Sequence, residues 1–137
     1  MPSKTTLKRA QQDARDGKSP TTQAGEFVRE EIEHIREGKH GARSTKQAIA
    51  IGLSKARRAG VKLPPPAPGQ ASEKTRQSAK SAYRAGQTRQ RRKPSVRRSR
   101  AVLQALKREG HSAATPQALA RHARTTARRR TSRMRRR

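Results

Sequence analysis

The sequence has no cysteine and almost no aromatic side chains, and each absence excludes a class of site. Without cysteine there is neither a disulfide framework nor a thiolate site for zinc. The chain has no tryptophan and one residue each of phenylalanine and tyrosine, Phe27 and Tyr83. Two rings are too few for the stacking platforms on which proteins bind single-stranded nucleic acid.

Large apolar residues are also scarce. Leu, Ile, Val and Phe together number 15 in 137 residues. This is well below the share of roughly 20% expected of a folding sequence, so one large core is excluded. The longest apolar run, Ala48 to Leu53, has six residues and is too short for a membrane span or the core of a signal peptide. We therefore expect a cytoplasmic protein with no integral membrane association.

Acidic residues are the third scarcity, and basic residues are abundant. The chain has 36 Lys and Arg against 9 Asp and Glu, a formal charge of +27. Residues 1–60 contain 13 basic and 7 acidic side chains, whereas residues 61–137 contain 23 and 2. A polyanion relieves the self-repulsion of such a chain, so the second half indicates nucleic acid as a partner.

One stretch of the chain is predicted to form a helical hairpin. Ser19 and Pro20 have the order of an N-cap followed by a first helical residue, and apolar residues then recur at helical intervals until Gly38. A second helix is predicted to open with a capping box at Ser44 and to end at Gly60. We expect the two helices to pack with Phe27, Val28, Ile32 and Ile35 against Ile49, Leu53 and Ala56.

Weaker helical patterns lie on either side of the hairpin. They predict a short helix over Thr5–Asp16, a polar helix over Ser72–Ala85 with Ala79, Ala82 and Tyr83 as its contact face, and two helices in the last third, Val96–Glu109 and one beginning at Thr115. The last two have little apolar surface. We therefore expect an all-α fold with a largely disordered basic C-terminal region. The predicted divisions are a basic N-terminal segment (1–18), the hairpin module (19–63), a proline-rich hinge (64–70) and an Arg/Lys-rich nucleic-acid-binding region (71–137).

The strongest functional signal is the arginine-rich C-terminus. The 17 residues from Arg121 contain nine arginines and no acid. Guanidinium groups pair bidentately with phosphate, whereas a tail that merely solubilises is better served by Asp and Glu. We predict phosphate contacts from basic residues of this tail, of the segment before it and of the hairpin: Lys39, Arg43, Lys46, Arg57, Arg58, Arg91, Arg92, Lys93, Arg97, Arg98, Arg121, Arg124, Arg128, Arg129, Arg130, Arg133, Arg135, Arg136 and Arg137.

The loop from Gly38 to Ser44 has two interpretations. Its glycines permit close backbone approach and it delivers cations to a helix N-terminus, an arrangement that suits a phosphate oxygen. Alternatively it is an ordinary solvated turn after a glycine-terminated helix. A helix-turn-helix reader is disfavoured, because the turn of that motif normally has three or four residues.

The first helix of the hairpin carries five of the nine acidic residues. Because carboxylates repel phosphate, they either pair with neighbouring arginines, quench the basic tail or contact a basic protein partner. The candidate partner contacts are Glu26, Glu30, Glu33 and Glu37. Glu30, His34 and Glu37 also share one helix face, but an exposed histidine among carboxylates is usually just solvated, and we expect no metal there.

No pattern indicates catalysis or a bound cofactor. Gly17, Lys18 and Ser19 imitate the end of a phosphate-binding loop, but Gln12 stands where the motif requires glycine and no strand is predicted before it. The chain has no cysteine nucleophile and too little core to exclude water from a reaction. We therefore predict a non-catalytic protein without a cofactor.

The run HGARSTKQAIAIGLSKARRAGVKLPPP, His40 to Pro66, resembles a family of small, uncharacterised Lys- and Arg-rich bacterial proteins with a domain of unknown function. The resemblance extends over roughly residues 1–90, and its most specific part is His40 to Gly60. It implies a bacterial origin but no catalytic residues and no mechanism.

These features together predict non-catalytic, largely sequence-independent DNA binding through phosphate contacts, in the manner of a nucleoid-associated or histone-H1-like protein. DNA is favoured over RNA as the partner. Two alternatives stay open: an RNA- or ribosome-associated basic protein, and an adaptor that binds a protein with its acidic helix face while the basic tail localises it.

Overall fold

A computed structural model describes residues 2–88 and 95–135, and most of these residues are helical. The α-helices are α1 (Lys4–Arg15), α2 (Pro20–Arg36), α3 (Thr45–Arg58), α4 (Glu73–Gln87), α5 (Val96–Arg108) and α6 (Pro116–Arg135), with a short 3-10 helix at Ser112–Ala114. The described ranges contain one isolated β-bridge, between Pro68 and Ala71, and no strand. The predicted all-α class is confirmed.

Serine begins each of the first five helices. The N-caps are Ser3, Ser19, Ser44, Ser72 and Ser95, and the Oγ of each accepts a hydrogen bond from the backbone N–H three residues later. Gly17, Gly38 and Gly60 follow the ends of α1, α2 and α3 with positive φ angles of 73°, 79° and 103°. The predicted boundaries of the hairpin helices are therefore confirmed. They could be predicted because capping serines and terminal glycines act within one turn of the chain.

Most of the buried apolar residues form two clusters rather than one core, and Ala79 and Ala82 of α4 are buried outside both. One contains Ile32, Ile35, Ala42, Ala48, Ala113 and Ala114, with Val28 and Leu119 at its edge. The other contains Ala10, Ala24, Phe27, Ala56 and Val61, with Leu7, Leu53, Ala59 and Leu63 at its edge. The hairpin therefore shares one cluster with α1 and the other with the segment before α6.

The face that α3 presents to the interior is only partly the predicted one: Ala56 is buried as predicted and Leu53 lies at the edge of its cluster. Its buried positions are mostly small, with Ala48, Gly52 and Ala56 among them, whereas Ile49 and Leu53 are half-buried. A Cβ atom on Gly52 would lie 2.6 Å from the Cα of Val28. The sequence pattern pointed to the large residues, but α2 and α3 approach so closely that small ones occupy the contact.

The loop between α2 and α3 is not an ordinary solvated turn. His40, Gly41 and Ala42 are buried. The Gly41 N–H donates to the Leu106 carbonyl at 2.8 Å and the Ala42 N–H to the Gly110 carbonyl at 3.0 Å. A Cβ on Gly41 would lie 2.1 Å from the Glu109 carbonyl oxygen. Gly41 therefore allows the backbone at Glu109 and Gly110 to approach the loop closely.

The expectation of a largely disordered C-terminal region is wrong. Residues 96–108 and 116–135 are α-helical, although neither helix has a buried residue. The sequence argument weighed apolar surface alone, whereas Ala, Arg, Leu, Gln and Lys all have high intrinsic helix propensity and dominate these segments.

The proline-rich segment is held by an arginine on each side. Arg57 donates from Nε to the Leu63 carbonyl at 3.2 Å and from Nη2 to the Pro64 carbonyl at 3.1 Å. Arg76 donates from Nε to the Pro66 carbonyl at 3.2 Å. These hydrogen bonds hold the backbone of the segment between α3 and α4 in place.

Candidate nucleic-acid interface

A groove runs between the start of α3 and one face of α6. It has a wide part lined by Ser44, Thr45, Lys46, Gln70, Ala118, Arg121, His122, Thr125, Thr126, Arg129, Arg130, Ser132 and Arg133. A narrower part is lined by Arg43, Ser44, Thr45, Ser112, Ala113, Thr115, Gln117, Ala118 and Arg121. The two parts share Ser44, Thr45, Ala118 and Arg121, and we call the whole the basic groove.

The charged side chains that line the basic groove are all cationic among the described residues. Six cationic side chains face it, and none of the described residues that line it is acidic. The six are Arg43, Lys46, Arg121, Arg129, Arg130 and Arg133. Positive charges in a concave surface reinforce one another's field and raise the local concentration of anions.

The α6 wall of the groove follows from the helical repeat. Its residues recur at intervals of three and four from Ala118 to Arg133, which is the spacing of one helix face. The N-terminus of α6 is capped by the Thr115 Oγ1, which accepts a hydrogen bond from the Ala118 N–H at 3.2 Å. Arg133 closes the far end by donating from Nη2 to the Gly69 carbonyl at 3.3 Å.

The opposite wall is the first turn of α3, where the helix dipole adds positive potential. The Ser44 Oγ accepts from the Gln47 N–H at 3.1 Å, and the Gln47 Oε1 in turn accepts from the Arg43 N–H at 2.6 Å. Thr45 donates from Oγ1 to the Ala113 carbonyl at 2.7 Å. This bond ties the start of α3 to the segment that leads into α6, so the two walls are held together.

The structure thus divides the predicted phosphate-binding residues into groups. Six line the groove, as named above. Seven others are exposed outside it: Lys39, Arg58, Arg97, Arg98, Arg124, Arg128 and Arg135. Arg91, Arg92, Lys93, Arg136 and Arg137 lie outside the described residues.

Arg57 is the predicted contact that the structure does not support. Its side chain is buried and is committed to the Leu63 and Pro64 carbonyls. Burial lowers the pKa of its guanidinium from the ordinary value, because the charged form loses hydration. Arg57 therefore shapes the turn after α3, and the structure places it apart from the exposed predicted contacts.

The acidic face of α2 is less available than the sequence suggested. Glu30 is buried, and its Oε1 accepts a hydrogen bond from the Ser3 N–H at 2.8 Å. Glu33 and Glu37 are exposed and pair with Arg29 and Lys39 at 3.2 and 3.3 Å. Glu30 therefore does not present its carboxylate to a partner, and of the four predicted partner contacts Glu26, Glu33 and Glu37 remain.

Sequence reasoning missed a buried polar cluster around Glu31 of α2. Glu31 is among the largest fully buried side chains of the protein, and it lies near His34, His40 and Lys55. A signal for it was present. Glu31 lies four residues after Phe27 and four before Ile35, in the middle of the apolar face of α2.

Comparison with known proteins gives one match. Residues 15–66 match the model of a family of unknown function, DUF6496, which spans α2, α3 and the loop between them. Neither the curated proteins nor the solved structures gave a match. Within the described ranges no helix combines the length and the apolarity that crossing a membrane requires. The resemblance to an uncharacterised family is thus confirmed for the hairpin.

Proposed function

We propose that this protein binds duplex DNA without catalysis and largely without sequence preference, by receiving the phosphate backbone in the basic groove. The observation that carries the proposal is the groove itself: six cations and no acid among the described residues that line it. On this proposal the protein is a nucleoid-associated component of the cytoplasm.

The dimensions of the groove fit a run of phosphates. From Gln117 to Arg133 the α6 wall advances by about 24 Å at 1.5 Å per residue. Duplex DNA advances by about 3.4 Å per phosphate along one strand, so several consecutive phosphates of one strand match this length. The exposed arginines of α6 outside the groove, Arg124, Arg128 and Arg135, add long-range attraction on the neighbouring helix face.

Duplex is favoured over single strands because His122 is the one aromatic ring among the described residues that line the groove. No Phe, Tyr or Trp is among the described residues that line it, and Phe27 is fully buried in the hairpin. Recognition of single-stranded RNA depends largely on stacking of bases on aromatic rings. Phosphate contacts alone carry little sequence information, which supports sequence-independent binding.

The salt dependence of affinity tests this function. If all six groove cations contact phosphate, the logarithm of the association constant should fall with the logarithm of salt concentration with a slope near −5, since each contact contributes about −0.9. The measurement is fluorescence anisotropy with a labelled random duplex across a salt series. A slope near zero would remove the electrostatic proposal, and equal binding of single-stranded RNA would favour the RNA alternative.

Two triple variants of α6 then locate the binding surface. Replacing Arg121, Arg129 and Arg133 by Gln should reduce the magnitude of the slope by about 3. Replacing Arg124, Arg128 and Arg135 by Gln removes the same charge from the same helix and changes helix propensity equally, yet should reduce it by less than 1. Equal losses in both variants would show that the tail binds as a diffuse charge and not through the groove.

A further inference from the structure

The buried cluster beside the hairpin brings three possible metal ligands together. Glu31 and His34 lie on α2, and His40 lies in the loop that follows it. One donor atom from each of the three lies within 4.8 Å of the other two. The side chains of Glu31 and His40 are 1% and 8% exposed, whereas that of His34 is 21% exposed and gives access from solvent.

One carboxylate oxygen of Glu31 lacks a partner. Its Oε1 pairs with the Lys55 ammonium group, but its Oε2 is fully buried and accepts no hydrogen bond. This Oε2 lies 3.2 Å from the His40 Nε2, without the alignment of a hydrogen bond. A buried anionic oxygen in this state is costly unless a cation binds it.

The hydrogen bond of His40 to a carbonyl leaves its Nε2 free. The His40 Nδ1 lies 2.9 Å from the Gly41 carbonyl, and a carbonyl oxygen accepts hydrogen bonds but cannot donate them. The proton of the neutral ring is therefore on Nδ1, so Nε2 and the Glu31 Oε2 face each other as two acceptors. A histidine that donates one ring N–H to a carbonyl and leaves its other nitrogen free has the usual arrangement of a metal ligand.

The electrostatics of the cluster also favour a cation. Glu30 contributes a second buried carboxylate, whose Oε1 lies 3.6 Å from the His34 Nε2 and whose Oε2 has no hydrogen-bond partner. Lys55 is the cation in contact with Glu31 among the described residues. Two carboxylates against one ammonium group leave the cluster negative while both imidazoles are neutral.

We propose that Glu31, His34 and His40 bind a divalent transition-metal ion of the zinc type, through the Glu31 Oε2, the His40 Nε2 and a ring nitrogen of His34. Two ligand atoms at the zinc bond length of about 2.0 Å and a tetrahedral angle are about 3.3 Å apart, which the 3.2 Å between Oε2 and Nε2 matches. Imidazole and carboxylate donors suit zinc and its neighbours.

The site would join α2 to the loop that docks on residues 106–114. Water completes a fourth position, and Lys55 stays paired with Oε1 of the same carboxylate. The donor set differs from Glu30, His34 and Glu37, the set that the sequence suggested and then set aside. It is also separate from the basic groove, because none of Glu31, His34 and His40 lines that groove.

The test uses the full chain, freed of metal by a chelator and titrated with zinc chloride. We expect one zinc ion per chain by calorimetry, a higher melting temperature with zinc, and the visible absorption of a four-coordinate ion when cobalt(II) replaces zinc. His34→Gln removes the half-exposed ligand with little change in packing, and zinc affinity should fall at least tenfold while the far-ultraviolet circular dichroism of the apo-protein is unchanged.

His111→Gln is the matched control, since His111 is exposed and outside the cluster, and it should bind zinc as the unchanged chain does. Equal zinc affinity of the His34→Gln variant and the unchanged chain would overturn the proposal. The proposal would also be overturned if zinc did not raise the melting temperature of the chain but acidification from pH 8 to pH 5 did. A proton would then be the cation between Glu31 and His40.

Discussion

The hairpin region, residues 4–63, and the C-terminal region, residues 95–135, are both helical for different reasons. In the first, α2 alone buries Ala24, Phe27, Ile32 and Ile35, and α3 packs on it through a row of small residues. In the second, α5 and α6 bury no residue, and Val96, Val102, Leu103 and Met134 are exposed. One region is helical because it packs, and the other because its residues favour helix.

The comparison teaches that, in a chain of this composition, a segment can be helical without contributing buried residues to a core. An isolated helix of 13 residues, the length of α5, is marginal in water even when its residues favour helix. The C-terminal region is attached through residues 106–119. Ala113 and Ala114 enter the first cluster with Leu119 at its edge, and carbonyls of this segment accept hydrogen bonds from the hairpin: Leu106 from Gly41, Gly110 from Ala42, Ala113 from Thr45 and Ala114 from Arg36. Because α6 itself buries no residue, this arginine-covered helix should gain stability from a bound polyanion.

The largest contrast is expected from truncating one aliphatic side chain in each region. Ile35 is fully buried in the first cluster, so Ile35→Ala should lower the free energy of unfolding by about 2 to 5 kcal/mol through lost burial and a cavity. Leu103 is 43% exposed, and Leu103→Ala should change it by less than about 0.5 kcal/mol.

Urea denaturation followed by circular dichroism gives these free energies, and hydrogen exchange of α2 peptides assigns the loss to the hairpin. Comparable destabilisation by both variants would mean that α5 contributes to a common core, and the division into two regions would fail.

The second contrast sets one glycine against another within the hairpin. Gly52→Ala should destabilise by about 1 to 3 kcal/mol, because its Cβ would meet the backbone of Val28 at 2.6 Å. Gly25 lies on α2 with nothing within 4 Å of a built Cβ, so Gly25→Ala should stabilise by up to about 1 kcal/mol through helix propensity. The same urea experiment measures both. Stabilisation by both substitutions would show that α2 and α3 do not approach closely at Gly52.

The parts of the fold that sequence predicted are those fixed by local chemistry. Ser19, Ser44, Gly38 and Gly60 set helix ends within one turn of chain, and each acts where the sequence placed it. On the buried face of α3, Ala56 was predicted, but Ala48 and Gly52 were missed because hydrophobicity favours Ile49 and Leu53. The preference for Gly52 arises from how near another helix comes, which is a tertiary property.

The candidate sites were predictable to different degrees. The sequence identified the cations of the groove: Arg43, Lys46 and the arginines of α6. It could not show that α3 and α6 face each other across one groove, because the hydrogen bond between Thr45 and Ala113 joins residues 68 positions apart in the chain. It gave Arg57 a phosphate role because charge alone does not show burial. The Glu31 cluster was visible as an acid on an apolar face, yet its partner His40 comes from a loop whose path the sequence did not fix.

The smallest contrast concerns helix capping, and it probes the two regions without touching a packed side chain. Ser19 caps α2 by accepting from the Thr22 N–H at 3.3 Å, and Ser95 caps α5 by accepting from the Arg98 N–H at 3.4 Å. Ser19→Ala should lower the free energy of unfolding by about 1 kcal/mol, because α2 forms only as the hairpin folds. Ser95→Ala loses the same hydrogen bond, but α5 can fray alone, so the urea midpoint should be unchanged while hydrogen exchange in residues 96–100 becomes faster. A shift of the urea midpoint by Ser95→Ala equal to that of Ser19→Ala would show that α5 unfolds together with the hairpin, and its exposed surface would then understate its coupling to the rest of the chain.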